Sequence, residues 1–184
     1  MKIKILIPIA EGTEEIEAVT AIDLFRRAGY NTIVAGEKST TVCSRGTIIL
    51  ADKLIDEIDK TEEFDLIYLP GGGKGTENMI NNKHLKSILA DHIRHNGAVA
   101  AICAAPLILD AFGLLAPNTV LTSHPSVEKQ LAKYNYVERN FVVNVNVYTS
   151  RGAGTAMEFV LELIKKFSGT DTSNNIAKSI LYKI

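Results

Sequence analysis

Short apolar runs rich in β-branched residues alternate along this chain with stretches of helical period, and that alternation limits the fold more than any other feature. Residues 3–9, 31–35, 64–69, 98–102 and 119–122 read as strands. Residues 14–28, 84–94, 106–112, 127–133 and 155–167 read as helices, with a further helix over 174–183. In the first helix Ala18, Ala21, Ile22, Phe25 and Ala28 fall on one stripe, and Gly29 supplies the stop. Residues 40–50 suggest short strands broken at Gly46, and 137–149 a hairpin. Strands that return through helices imply βαβ units and a mostly parallel sheet buried on both faces. With 184 residues and neither linker nor repeat, the chain is expected to be one doubly wound α/β domain spanning residues 1–184.

Composition removes several functions. Twenty Lys and Arg against 21 Asp and Glu leave a net charge of −1, so no surplus of cations is available for sequence-specific nucleic-acid binding. The apolar run at the start halts at Glu11-Gly12-Thr13-Glu14-Glu15, too short for a membrane span and without a signal-peptidase site. A cytoplasmic, reducing setting is the default expectation. Two cysteines, Cys43 and Cys103, make neither a disulfide framework nor a zinc site, and no metal or other cofactor is expected.

Ligands in doubly wound sheets bind beyond the carboxyl ends of the strands. Four segments lie there. In Ala101-Ile102-Cys103-Ala104-Ala105-Pro106 a buried strand gives way at once to a helix. The small residues permit a sharp turn, and Pro106 suits a first helical turn. This is the sequence of a nucleophile elbow, and the helix terminus beneath Cys103 is expected to lower its pKa toward the reactive thiolate. Pro70-Gly71-Gly72-Gly73 offers backbone N–H groups for an oxyanion, and it matches neither a P-loop nor a dinucleotide fingerprint. Glu14, Glu15 and Glu17 open the first helix; spacing alone leaves open which of them faces the pocket, although plain capping suits Glu14. His124, in Thr122-Ser123-His124-Pro125, follows a strand on the same rim as Cys103. His84, His92 and His95 sit on a polar helix and are expected to be solvated.

Glu14-Glu15-Ile16-Glu17, Leu69-Pro70-Gly71-Gly72, Ala101-Ile102-Cys103-Ala104-Ala105, Ser123-His124-Pro125 and Thr149-Ser150-Arg151-Gly152-Ala153-Gly154-Thr155, in that order, resemble the ThiJ/PfpI superfamily, within its DJ-one (parkinsonism-associated) branch. The resemblance covers nearly the whole chain. It implies a flavodoxin-like fold, a homodimer and no cofactor. It implies that Cys103 is the nucleophile and the oxidation-prone thiol, that Glu17 is the acid–base partner and that His124 is the pocket histidine. The N–H groups of Gly72 and Ala104 would form the oxyanion hole, and Cys43 would be structural, near the dimer interface. The proteolytic branch carries His directly after the nucleophile, where this chain has Ala104. The amidotransferases of a related fold need His-x-Glu, and none of the four histidines here has Glu at that spacing. The activity the resemblance implies is that of a glutathione-independent glyoxalase or deglycase acting on a small reactive aldehyde such as methylglyoxal or glyoxal. The alternative is a redox sensor or stress chaperone in which Cys103 oxidises with little turnover. Ile16 and Val19, off the sheet-facing stripe of the first helix, add a residue-level reason to expect a homodimer.

Overall fold

In a computed structural model describing residues 2–183, the strand runs at 3–9, 31–35, 64–69 and 98–102 lie in a seven-stranded sheet with helices on both faces. The expected strand at 119–122 stands outside it, paired in a separate two-stranded sheet with residues 135–136. The chain order is β1 (Lys4–Ile9), α1 (Glu15–Arg27), β2 (Asn31–Gly36), β3 (Thr40–Val42), β4 (Ile48–Leu50), β5 (Lys53–Leu54), β6 (Leu66–Leu69), α2 (Gly73–Asn81), α3 (Lys83–Arg94) and β7 (Ala98–Ile102). It continues with α4 (Pro106–Ala111), β8 (Val120–Leu121), α5 (Glu128–Leu131), β9 (Asn135–Tyr136), β10 (Phe141–Asn144), β11 (Val147–Ser150), α6 (Ala156–Ser168) and α7 (Thr170–Ser179).

Across the sheet the order is β10-β11-β7-β6-β1-β2-β5, and every neighbouring pair is parallel except β10 with β11. The chain leaves β1 toward β2 on one side and later returns to β6 on the other. That reversal opens a crevice beyond the carboxyl ends of β1 and β6, where such sheets take their ligands.

Both faces of the central strands are buried, which is why they read as unbroken apolar runs. Along β1, Ile5, Ile7 and Ile9 point into a layer with Phe25 of α1 and Phe159 and Leu163 of α6, while Leu6 points into the opposite layer with Leu85, Ile88 and Leu89 of α3 and Ile108 of α4.

The expected elements recur with local shifts. The hairpin of β10 and β11 is present, and β3 pairs antiparallel with β4 around Gly46. The last helix starts and ends four residues earlier than its sequence period suggests. Helix α2 was not anticipated, because it begins at Gly73 and carries a second glycine, Gly75, which lowers its helical signal. The expected helix over 127–133 is instead a 3₁₀ turn at Pro125–Val127 followed by the single turn of α5.

Candidate active site

Four loops converge beyond the carboxyl ends of β1, β6, β7 and β11. At the end of β7, Cys103 has φ of +63°, a left-handed conformation that a side chain with a Cβ adopts only under strain. The surroundings hold it on both sides. Cys103 N–H donates to Ser150 O at 3.1 Å, and Cys103 O accepts from His124 N–H at 2.9 Å. A three-residue turn, Cys103 to Ala105, leads into α4, with Pro106 at its start. The strained turn expected from the small residues is present and aims the half-buried sulfur at the crevice.

The structure separates the three carboxylates of the first helix. Glu17 is fully buried. Its Oε2 accepts Gly71 N–H at 2.7 Å, and its carboxyl stands beside the Cys103 thiol. Its Oε1 is buried with no partner among the described residues. Tyr68 O–H, from beneath, donates to Glu17 O at 3.3 Å and anchors this turn of α1 to the sheet. Glu15 turns away and accepts from Ser44 O–H at 2.7 Å and Arg45 N–H at 2.9 Å. Glu14 also reaches Ser44 Oγ, at 2.7 Å, so it is not the simple solvated cap expected.

Burial pushes Glu17 up to about 7, against the pull of Gly71 N–H. Burial, and then the Glu17 charge, push the Cys103 thiol up to about 12, while the N–H groups of Gly72 and Ala104 pull it down. The expected lowering of the Cys103 pKa is therefore not what the surroundings produce. Helix α4 has only six residues, and its terminus is outweighed by burial and by a carboxylate beside the sulfur. Up to about pH 7 both groups are protonated, and above it the pair still shares one proton. A thiolate forms readily only when Glu17 carries that proton, because protonation removes the charge that opposes the thiolate.

Glycines line this space for packing reasons. A Cβ on Gly71 would lie 2.7 Å from Cys103 Cβ and 2.9 Å from Glu17 Oε2, so only glycine lets β6 approach the elbow. Gly72, at φ +91°, would set a Cβ 2.3 Å from Gly12 O. The Gly72 N–H, like that of Ala104, acts on the Cys103 thiol by lowering its pKa.

His124 is exposed and stands on the same rim. Its Nδ1 accepts Ser126 N–H at 3.2 Å and lies 2.8 Å from Ser126 Oγ, which assigns the ring proton to Nε2. Its Cδ2 edge borders the crevice beside Gly152. No hydrogen bond joins the imidazole to the sulfur among the described residues, so a direct thiol–imidazole pair is not formed. The expectation for the other histidines needs correction. His92 is buried with Nε2 donating to Ala98 O at 2.8 Å, and half-buried His84 reaches Ile58 O at 2.8 Å; only His95 is exposed. Gly71 was expected only as part of a run of N–H donors for an oxyanion, not as the donor to Glu17, and Gly152 was not singled out as a site residue; a glycine two residues beyond a parallel strand was the available signal for it.

Among the described residues no group of three or more His, Cys, Asp or Glu is placed to hold a metal, and no helix is long and apolar enough to cross a membrane. A surface groove of about 900 Å³ lies away from this crevice, between Lys4, Glu62, Phe64 and Asp91. Its charges largely satisfy one another, as in Lys4–Glu62 at 2.8 Å and the Arg94–Asp91 pair.

A doubly wound domain with a strained cysteine at the switch of the sheet and a proton-holding glutamate beside it defines a class of flavodoxin-like cysteine proteins. The chain belongs to the DJ-1/PfpI family, whose model matches residues 3–166. It is 38% identical over 181 residues to Protein DJ-1 homolog B of Arabidopsis thaliana, covering 97% of this chain and 41% of the plant protein. The chain thus spans less than half of that relative's length. It is 32% identical to the glutathione-independent glyoxalase DJR-1.2 of Caenorhabditis elegans, covering 96% of this chain and 94% of the other. The crystal structure of Drosophila melanogaster DJ-1beta superposes with a TM-score of 0.95 at 36% identity and covers all of both chains.

Proposed function

We propose that this protein converts methylglyoxal or glyoxal to lactate or glycolate without glutathione, using Cys103 as nucleophile. One observation carries the reading: Glu17 has one oxygen tied to Gly71 N–H, the other bare and facing the space beside Cys103, and a pKa near neutrality. A group poised in this way can take and return protons through a reaction.

Glu17 accepts the thiol proton, and the thiolate attacks the aldehyde carbon. The C=O electron pair moves onto oxygen, where the Gly72 and Ala104 N–H groups hold it until Glu17 protonates it. The product is a hemithioacetal, and Glu17 is again a carboxylate. Glu17 then removes the hydrogen from the sulfur-bearing carbon, giving an enediolate; the hydroxyl proton on that carbon's oxygen passes to the neighbouring oxygen, and Glu17 delivers the hydrogen it took to the neighbouring carbon. The result is a lactoyl thioester on Cys103. Water cleaves the C–S bond, lactate leaves and the thiol is restored. His124, with its proton on Nε2, orients the second carbonyl. Removal of sugar-aldehyde adducts from proteins would use the same addition to a carbonyl.

The test is incubation with methylglyoxal in the absence of added thiol, followed by lactate analysis. Wild type is expected to form lactate, and Cys103→Ala none above background. Equal rates in the two proteins would sink the reading.

A second reading rests on the same bare Oε1. Protonated Glu17 can hydrogen-bond an oxygen of a Cys103 sulfinate, which suits a redox sensor. A stable gain of two oxygens on Cys103 after mild peroxide, together with no lactate formation, would favour it. A homodimer is also proposed. Ile16 and Val19 are 55% and 45% exposed on α1, and Ile48 and Leu50 are 66% and 72% exposed on the hairpin that Glu15 ties to the same helix. Sedimentation as a 20.1 kDa species at micromolar concentration would exclude it.

A further inference from the structure

Gly152 differs from the other glycines of the site. At Gly71 and Gly72 a Cβ would collide with neighbouring atoms below 3.0 Å, so glycine is a packing requirement. At Gly152 a Cβ would meet nothing closer than His124 Cδ2 at 3.5 Å, with Glu17 Oε1 at 3.9 Å and Cys103 Sγ at 4.0 Å. These are ordinary van der Waals contacts. The backbone makes no demand either, because φ of 163° is extended and open to any residue. The residue is buried, and its backbone is fixed. Gly152 N–H donates to Thr155 Oγ1 at 3.1 Å, and Gly152 O accepts Thr155 N–H at 2.8 Å. A missing side chain that neither packing nor backbone requires leaves a methyl-sized volume bounded by the three reactive groups of the site.

We infer that Gly152 is the specificity-determining residue of this site: its absent side chain sets how large a group may stand beside the carbon that bonds to Cys103. The inference rests on the proposed carbonyl chemistry and names its steric limit. In the hemithioacetal, the carbon bonded to sulfur carries its second carbonyl carbon into the volume between Glu17 Oε1 and His124. Glyoxal places only hydrogen on that second carbon, methylglyoxal a methyl and phenylglyoxal a ring. Gly152→Ala fills the volume with a methyl on a fixed wall, so it discriminates by substituent size. Gly154, in the same loop, would carry a Cβ with nothing within 4 Å, and Gly154→Ala is the control for the loop itself.

Two measurements decide the matter. In the first, kcat/KM is compared across glyoxal, methylglyoxal and phenylglyoxal for wild type, Gly152→Ala and Gly154→Ala. Gly152→Ala is expected to lose about 10- to 200-fold more on phenylglyoxal than on glyoxal, and Gly154→Ala to keep the wild-type ratio. In the second, Cys103 is challenged with hydrogen peroxide, iodoacetamide and N-ethylmaleimide, and the modified peptide is followed by mass spectrometry. Gly152→Ala is expected to slow N-ethylmaleimide by about tenfold or more and to leave peroxide within about threefold. Uniform changes across either series overturn the inference, as does a rise in all three rates, which marks a fold that does not accept the methyl. If wild type turns over none of the aldehydes, the glyoxalase reading fails by itself, and the reagent series still decides the role of Gly152.

Discussion

The two thiols of this chain have nearly the same ingredients and different chemistry. Cys43 and Cys103 each sit in a tight turn at the end of a strand, are shielded from water, and have carboxylates of α1 beside them. Burial and carboxylate charge push both up, Cys43 to about 11 and Cys103 to about 12. The difference lies in the carboxylate. Burial works against ionisation of Glu15, but its own backbone N–H, Ser44 O–H and the N–H groups of Arg45 and Thr47 together hold it at about 2. It is a permanent anion that ties the β3–β4 turn to α1. Glu17 receives one backbone N–H and keeps one oxygen bare, so it rises to about 7. Under the proposed function, the number of donors on the carboxylate, more than the thiol's own setting, is what would separate a structural cysteine from a reactive one.

The comparison breaks most severely if the roles of the two sulfurs are reversed. Cys103→Ala is expected to lower lactate formation by about 10⁴-fold or more, and Cys43→Ala to change it by less than about threefold. Comparable losses in both would end the distinction. Glu17→Gln comes next, with an expected fall in kcat/KM of about 10²–10⁴-fold and loss of the ionisation near pH 7 from the rate profile. Glu15→Gln should retain that ionisation.

The same substitution has a stability signature of definite sign. Glu17 has a folded-state pKa raised from 4.5 to about 7. Its contribution to stability is therefore full below pH 4.5 and is lost as pH rises through about 7, because the unfolded chain then prefers the ionised form. Wild type should lose up to about 3 kcal/mol between pH 5 and pH 8 from this group, and Glu17→Gln should not. Urea midpoints at the two pH values measure it. An equal decline in both proteins would show that Glu17 is not held up by burial.

Much of this arrangement was legible in the sequence because it follows from local rules. The strands were readable as apolar runs because both faces of the sheet are covered. The elbow was readable because a strained turn before a helix needs small neighbours around Cys103. The choice among Glu14, Glu15 and Glu17 was not available from spacing, since it depends on which turn of α1 faces β6 and which faces the β3–β4 hairpin. His92 was misread from the polar character of its helix. Leu85, Ile88, Leu89 and His92 recur at helical spacing, so the buried stripe of α3 already contained the histidine. Helix α2 was hidden because Gly73 and Gly75 in its first turn weaken the signal for a helix, although Gly75 is required where α2 packs against Thr13. The proton held between Cys103 and Glu17 was beyond a linear reading, because it depends on a distance between loops far apart in sequence.

The smallest expected effect tests the comparison from the structural side. If the Glu15 charge helps to raise the Cys43 thiol, Glu15→Gln should lower that pKa, and the alkylation of Cys43 should begin at lower pH. Burial is the larger cause and is unchanged by the substitution, so the shift should stay below about one unit, within the usual range for a neighbouring charge near a surface. The loss of three charge-assisted contacts to the 44–47 turn acts in the same direction, since a looser turn admits water to the sulfur. The two contributions separate by salt. A Coulombic effect weakens as ionic strength rises, whereas an opened turn stays open. A Cys43 profile that moves in Glu15→Gln at low salt and converges with wild type at high salt assigns the shift to charge. A displacement that persists at high salt makes Glu15 chiefly a latch. No displacement at either salt would mean that burial alone governs Cys43, and the parallel between the two thiols would rest on Glu17 alone.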